Sequence, residues 1–168
     1  ILSGLVGSEM CIRDRLCFIS AIRKREPGEV IPRSAEQSRT KDGNEEKYGA
    51  GNAIDLESST MSGTDADTYG SIWLKVNLAN KRCIQQVAWY RNSDSRVLTW
   101  TCSSTDCTRC DGSVCQYHPL TVSSEKASAD DLPPHTDCKY GDTVTIVRTA
   151  TSGFFVVELA IIAKQGEI

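Results

Sequence analysis

The amino-acid sequence predicts an all-β protein, a β-sandwich or barrel, from three observations. Apolar side chains occupy every second position from Ile72 to Leu78, which is the period of a half-buried strand. Residues 143–147 (TVTIV) and 154–163 (FFVVELAIIA) are dense in the β-branched and aromatic residues that strands favour. No stretch of about a dozen residues has the 3.6-residue period of an amphipathic helix. Short strands without helices are typical of sandwiches and barrels.

The other elements are predicted from composition. Residues 23–47 are polar and charged and contain two Pro and two Gly, so we expect mostly linker or surface loop there. Small, polar, Pro and Cys residues accumulate in the other predicted loops, which are residues 55–70, 91–96, 102–118 and 123–136. Between these loops lie further strand candidates, which are residues 83–90 (CIQQVAWY), 97–101 (VLTWT) and 118–122.

Size and charge exclude several classes of protein. The chain has 168 residues, with 19 Lys+Arg against 22 Asp+Glu and a formal net charge of −3. This length suits one ordinary domain with a hydrophobic core. A nucleic-acid-binding domain would carry an excess of basic residues instead. No apolar run approaches the roughly 20 residues that a membrane-spanning helix needs.

The sequence contains no recognisable catalytic motif. A nucleophile elbow (G-x-S-x-G), a phosphate-binding loop and an H-E-x-x-H motif are all absent. The two histidines, His118 and His135, each adjoin a proline in a predicted loop. We therefore expect that the protein is not an enzyme.

The chain is predicted to consist of three segments. One permitted codon choice for a common sequencing-library transposase adapter encodes residues 4–15 (GLVGSEMCIRDR), so residues 1–15 are excluded from fold reasoning. Residues 16–33 are expected to be a linker or the remnant of an upstream sequence, and residues 34–168 a single domain. The natural N-terminus and any signal peptide are then expected to lie upstream of this sequence.

Several short motifs follow one another in a characteristic order along residues 34–164. They are Gln37-Ser38, residues 48–55 (YGAGNAID), Trp73-x-x-Val76-Asn77-Leu78, Ile84-x-x-Val87, Gly141-x-x-Val144-x-Ile146 and residues 154–161. Together they resemble the galactose-binding-like domains, which include the coagulation-factor type C (discoidin) domains and the fucolectins. The resemblance implies a β-sandwich jelly roll. The chain departs from the family pattern at three positions, which are Leu56 in place of Gly, Asn77 in place of Asp and Val157 in place of Cys.

The resemblance also implies a structural Ca²⁺ site, which fucolectins form where the A-I-D loop meets the last strand. Calcium takes six to eight oxygen ligands. The matching residues are Asn52 and Glu57 as carbonyl donors, and Asp55 and Glu158 as carboxylate ligands. Glu158 stands in an otherwise apolar strand, where an unpaired buried carboxylate is costly. The alternative is that Glu158 faces solvent or pairs with an arginine.

The cysteines indicate disulfides or a metal. The chain has eight, of which Cys11 lies in the adapter-like segment and Cys17 outside the predicted domain. The remaining six are Cys83, Cys102, Cys107, Cys110, Cys115 and Cys138. An even number favours three disulfides in an oxidising compartment. The alternative is a zinc site formed by the four clustered cysteines between residues 102 and 115, although a second C-x2-C pair is absent.

The turn at residues 91–96 is the candidate ligand site. Fucolectins bind fucose with a histidine and two arginines, and the resemblance assigns Arg91, Asp94 and Arg96 to the corresponding turn. The spacing differs from the family motif, and no histidine precedes Trp73 at the expected place, so fucose specificity is not implied. Guanidinium groups beside aromatic rings can hold sugar hydroxyls or anions. The alternative is a solvated turn.

The sequence therefore predicts a non-catalytic, extracellular recognition or adhesion module that binds a carbohydrate or cell-surface ligand. We expect it to be part of a longer multidomain chain, with no nucleic-acid partner and no cofactor beyond the structural calcium. One alternative is a structural or protein-interaction β-sandwich without a small ligand. The other is an intracellular module stabilised by zinc.

Overall fold

Nine strands run through the residues that the structure describes. The structure is a computed structural model that describes residues 22–66, 72–91, 96–111, 117–124, 136–148 and 153–165. Its strands are β1 (Pro32–Gln37), β2 (Ser62–Gly63), β3 (Ile72–Tyr90), β4 (Arg96–Thr101), β5 (Arg109–Asp111), β6 (Leu120–Ser123), β7 (Lys139–Arg148), β8 (Phe155–Val156) and β9 (Glu158–Ala163). Every pairing between them is antiparallel. The predicted all-β fold is confirmed.

The long strand β3 organises the sandwich. Its first part pairs with β1 and β7, and β7 pairs in turn with β6. Its second part pairs with β4 and β9, and β4 pairs with β5. The register with β7 shifts between Asn77 and Arg82. Inward side chains from both parts of β3 belong to one hydrophobic core, so the strand passes from one layer of the sandwich to the other.

The core follows from the alternation that the sequence shows. Leu74 and Val76 from the first part of β3 are fully buried, and so is Val87 from the second part. Trp100 of β4 and Ile146 of β7 complete the same cluster. A strand points successive side chains to opposite faces, so each of these residues marks the inner face of its strand.

A second, small buried cluster lies on the opposite face of β3 and β9. It consists of Ala88, Tyr90 and Ala160. Residues 22–31, which we call the N-terminal strap, run past this face. The Val30 N–H donates to the Ile161 carbonyl at 2.8 Å, and the Ala163 N–H donates to the Gly28 carbonyl at 3.0 Å.

The elements differ from the predictions in several places. The strap was expected to lie outside the domain, as part of residues 16–33, but it packs on β9. Residues 32–37 were expected to be loop, yet they form β1. The two predicted strands at 72–78 and 83–90 are one continuous strand, while the predicted strand 154–163 is divided into β8 and β9.

Short helical turns precede β2. They are the 3₁₀ turns Lys41–Gly43 and Ala50–Ala53 and the α-helix α1 (Glu45–Tyr48). The side chain of Asn44 caps α1 by accepting a hydrogen bond from the Lys47 N–H. Among the helices of the described residues, none is long or apolar enough to cross a bilayer.

Candidate functional site

Two of the four predicted calcium residues, Asp55 and Glu158, lie close together at the start of β9. Glu158 is the first residue of that strand and is only 1% exposed. Its Oε2 accepts a hydrogen bond from the Leu56 N–H at 3.1 Å, in the loop that follows Asp55. Leu56 has a φ of 68° in this loop, the left-handed region that the usual glycine would adopt without strain. The loop that follows Asp55 and the start of β9 are therefore in direct contact.

Arg23 of the strap supplies the partner of this buried carboxylate. Its Nη2 donates to Glu158 Oε1 at 3.4 Å and to Glu29 Oε1 at 2.6 Å, and its Nη1 donates to Glu29 Oε2 at 2.9 Å. The arginine is 2% exposed, and its Cζ lies 4.5 Å from the centre of the Tyr90 ring. The Arg23 N–H also donates to the Leu56 carbonyl at 2.7 Å. Arg23 thus joins the strap to β9 through its guanidinium and to the Asp55 loop through its backbone N–H.

Burial and neighbouring charges shift the pKa values of Glu158 and Arg23. Burial raises the pKa of Glu158 to about 8; Arg23 opposes the rise, and the nearby Asp55 carboxylate adds to it. Burial alone would lower the pKa of Arg23, but its hydrogen bond to Glu29 and the charges of Glu29 and Glu158 raise it. Arg23 therefore stays charged, and Glu158 takes up a proton more readily than an exposed carboxylate would.

The four predicted ligands fit calcium only in part. Asp55 lies near enough to Glu158 to raise its pKa, but its two oxygens accept hydrogen bonds from the Glu57 N–H and the Thr60 hydroxyl. The Asn52 side-chain amide donates to backbone carbonyls of Lys47 and other residues. In the part of the chain that the structure describes, no three His, Cys, Asp or Glu side chains converge as a metal site. A calcium ion at Glu158 would share that carboxylate with Arg23.

Arg91 and Arg96, the two arginines of the candidate ligand turn, are the parts of it that the structure describes. Arg91 is exposed immediately after β3, whereas Asp94 lies outside the described residues. The Arg96 Nε donates to Glu26 Oε1 at 3.0 Å and to the Tyr90 hydroxyl at 3.3 Å, and its Nη2 pairs with Glu26 as well. Of the two predicted arginines, Arg96 is thus held by the strap, and Arg91 points its charge outward from the same end of the sandwich.

Sequence reasoning missed the contribution of the strap. Residues 23–25 (RKR) form a short basic run in which nothing distinguishes a buried arginine from a solvated one. Glu26 and Glu29 each bind one of the arginines that line this end of the sandwich. The Glu26 N–H also donates to Glu29 Oε2 at 2.7 Å, which ties the two acidic residues together. The charge of Glu158 inside an apolar strand was the one signal that a cation lies here.

Several of the predicted cysteines form disulfides. Cys83 is bonded to Cys138 across 55 residues, and Cys102 to Cys107 across 5. Cys110 is disulfide-bonded as well, and Cys115 lies outside the described residues. Sulfur in a disulfide is not the thiolate that binds zinc, so the predicted four-cysteine zinc site does not form.

His118 is a buried packing residue. It is 5% exposed, and its ring lies 5.2 Å from that of Trp89 and 5.6 Å from that of Phe154. Its backbone carbonyl accepts a hydrogen bond from the Trp100 indole at 3.1 Å. Burial, and secondarily the charge of Arg148, lowers the pKa of His118, so the ring is neutral at pH 7.

Known structures share this fold at low sequence identity. A fucose-binding module of Streptococcus pneumoniae matches with a TM-score of 0.50 and 12% identity, over 81% of this chain and 96% of its own. A variant of chitosan-binding module 1 from a chitosanase/glucanase of Paenibacillus sp. IK-5 matches with a TM-score of 0.51 and 13% identity, over 82% of this chain and 100% of its own. An F5/8 type C domain from Bacteroides fragilis matches with a TM-score of 0.50 and 19% identity, over 83% of this chain and 99% of its own.

These likenesses establish that the chain has the galactose-binding-like fold, as the sequence motifs implied. No protein-family model matches the sequence. No curated protein matches it either.

Proposed function

We propose that this chain, a β-sandwich of the galactose-binding-like fold, is a non-catalytic extracellular module that recognises carbohydrate. The fold is the observation that carries the proposal, because modules named for binding fucose and chitosan match four fifths of the chain. The disulfides agree with an oxidising, extracellular setting. We expect the module to work within a longer chain, where several weak sites acting together raise the overall affinity.

Arg91 is the residue of this chain that we assign to the ligand. It is exposed at the end of β3, beside the strap and the start of β4. A guanidinium presents five donors in a planar fork, which suits neighbouring hydroxyls of a sugar ring or an anionic group. Arg96, already bound to Glu26, orients this end of the sandwich and contributes its remaining donors.

A glycan array of the oxidised chain tests the proposal. We expect binding to at least one class of glycan, and a loss of that binding in Arg91→Ala. Arg39→Ala is the matched control, since Arg39 is also exposed and its hydrogen bond from the Asp65 N–H is accepted by its backbone carbonyl, which the substitution keeps. Binding that survives Arg91→Ala would reject Arg91 as the ligand residue, and a folded chain that binds no glycan would reject carbohydrate recognition.

The engagement of Arg96 favours a second candidate, a protein-interaction or structural β-sandwich without a small ligand. Glu26 and the Tyr90 hydroxyl already use donors of Arg96 that a sugar would need. If this candidate holds, the oxidised chain folds with its full stability, and glycan binding is absent at every concentration tested.

A further inference from the structure

A cleft of about 640 Å³ lies away from Arg91, where β3 passes between the two layers. Its walls are residues 28–33 of the strap and β1, three residues of the β3 bend, and residues 163–165 at the end of β9. This end of the second layer is opposite to the end that holds Tyr90, because β9 pairs Glu158 with Tyr90 and Ala163 with Ile84. The volume is within the range of about 300–1,000 Å³ that is usual for small-ligand pockets.

The lining of the cleft is cationic. Arg33, Arg82 and Lys164 contribute three positive side chains, and Glu29 is the acidic residue of the lining. The carboxylate of Glu29 is 2% exposed and is neutralised by Arg23, so it offers little charge to the cleft. Lys164 pairs with Asp137, which does not line the cleft, at 2.9 Å. The charged side chains that line the cleft are therefore predominantly cationic.

The rest of the lining suits a sugar ring. Asn80 and Gln165 present side-chain amides, which both donate and accept hydrogen bonds. Ile31 is 67% exposed, and beside it stands Pro32, so an apolar surface borders the cationic wall. A sugar ring combines hydroxyl groups at its edge with an apolar C–H face, and these two kinds of surface complement it.

The walls of the cleft are held firmly in place. Gly28 has a φ of 79°, and a Cβ at this position would lie 3.0 Å from the Ala163 carbonyl oxygen. The backbones of the strap and of β9 thus approach closely at the floor of the cleft. A preformed site loses less conformational entropy when it binds a ligand.

We propose that this cleft binds an acidic carbohydrate, a uronic-acid oligosaccharide whose carboxylates pair with Arg33 and Arg82. The inference rests on the proposed function and specifies a second site with its own ligand class. Guanidinium–carboxylate pairing is charge-assisted and often bidentate, which favours a carboxylate over a hydroxyl at these two positions. Ile31 packs against the sugar ring, and Lys164, which is paired with Asp137, contributes its remaining donor.

Calorimetric titration of the oxidised full chain with tri-galacturonic acid tests this inference. We expect binding that weakens as salt increases, and a Kd about tenfold higher in Arg33→Ser, because a hydrogen bond to a charged group contributes about that factor. Arg82→Gln tests the second pairing in the same way. Arg39→Ser is the matched control, an exposed arginine outside the cleft, and its Kd should equal that of the unchanged protein.

Three further probes separate the possible outcomes. A neutral trisaccharide that binds as tightly as the uronate, or a glutamate tripeptide that binds equally well, would overturn the acidic-carbohydrate assignment. A sulfated trisaccharide that binds more tightly than the uronate would overturn the carboxylate as the recognised group. Uronate binding that is lost in Arg91→Ala but kept in Arg33→Ser would overturn the cleft as the site while leaving carbohydrate recognition standing. No binding of uronate, together with no signal on the glycan array, would reject both proposals.

Discussion

Arg23 carries the positive charge that two buried side chains, Glu29 and Glu158, share inside the fold. Two carboxylates and the face of an aromatic ring surround its guanidinium, and all of these groups are withdrawn from water. Removing one partner of a buried ion pair costs about 3–5 kcal/mol because the other charge is left uncompensated. The same guanidinium competes with any cation that would bind Glu158.

Calcium dependence is therefore expected to increase when Arg23 is removed. In Arg23→Met, Glu158 loses its internal cation, so calcium can bind Glu158 and the nearby Asp55 without competition from a guanidinium. We expect millimolar CaCl₂ to raise the melting temperature of Arg23→Met by several degrees more than that of the unchanged protein. Adding Glu158→Gln to Arg23→Met should remove this calcium effect. Equal calcium shifts in the unchanged protein and Arg23→Met would contradict competition between the two cations.

His118 is expected to make stability depend on pH below neutrality. Burial lowers its pKa in the folded state, so the unfolded chain takes up the proton first as the pH falls through about 6.5. The contribution of His118 to the free energy of unfolding is thus fully present above pH 7. It decreases below pH 7, by at most about 1.4 kcal/mol per pH unit for one proton.

Urea unfolding at pH 7.5, 6.5 and 5.5 measures this dependence. His118→Phe keeps an aromatic ring against Trp89 and Phe154 but cannot take up a proton. The pH profile of His118→Phe should be flatter than that of the unchanged protein over this range. The opposite contribution of Glu158, whose raised pKa favours the folded state as the pH falls, is present in both proteins and cancels in the difference. Parallel profiles would show that His118 does not titrate on unfolding.

At the scale of elements, the strands with a strong hydrophobic pattern were predicted and those without one were not. The alternation in Ile72–Leu78 is visible in the sequence, and the structure buries its apolar face. β1 (PRSAEQ) has no such pattern, because half of its residues are exposed, the others are only partly buried, and its place is set by pairing with β3. The strap is fixed likewise by contacts far along the chain, with Leu56, Glu158 and Ile161, which no local pattern encodes.

The close approach of the strap to β9 requires glycine at position 28. An L-residue in the left-handed region costs roughly 1–2 kcal/mol, and a Cβ at Gly28 would also press on the Ala163 carbonyl oxygen. We expect Gly28→Ala to lower the free energy of unfolding by at least about that amount.

Gly51→Ala is the control for this change. Gly51 lies in a 3₁₀ turn, and a Cβ there meets no atom within 4 Å. The urea concentrations at which Gly28→Ala and Gly51→Ala are half unfolded measure this difference, and we expect the lower one for Gly28→Ala. A Gly28→Ala protein as stable as Gly51→Ala would mean that the strap moves away from β9 without loss.

At the scale of the whole molecule, the order of short motifs was sufficient for the fold and insufficient for the site. Each motif occupies a strand or turn of the sandwich, so spacing along the chain carried the topology. The site depends on which charged side chains meet across the fold. The resemblance placed Asp55 and Glu158 together. It did not place Arg23 with Glu158, because these two residues are 135 positions apart in the sequence and no local pattern connects them.

The two described disulfides should contribute unequally to the stability of the whole molecule. A cross-link restricts the unfolded chain more when it closes a longer loop, about 4 kcal/mol for the separation of 55 residues between Cys83 and Cys138. The same relation gives about 2 kcal/mol for the separation of 5 residues between Cys102 and Cys107. The double variant Cys83→Ala/Cys138→Ala should therefore unfold at a lower urea concentration than Cys102→Ala/Cys107→Ala. The reverse order would show that loop length does not govern the effect.

The passage of β3 through both layers has a consequence for how the protein opens. The 19 residues of this strand hold ladders with β1, β4, β7 and β9, so neither layer can detach as a unit while β3 stays intact. Backbone amides on the two sides of the Asn77–Arg82 bend should then exchange with deuterium at similar rates, limited by the same global opening event. A module that opens only as a whole exposes no half-folded edge to proteases.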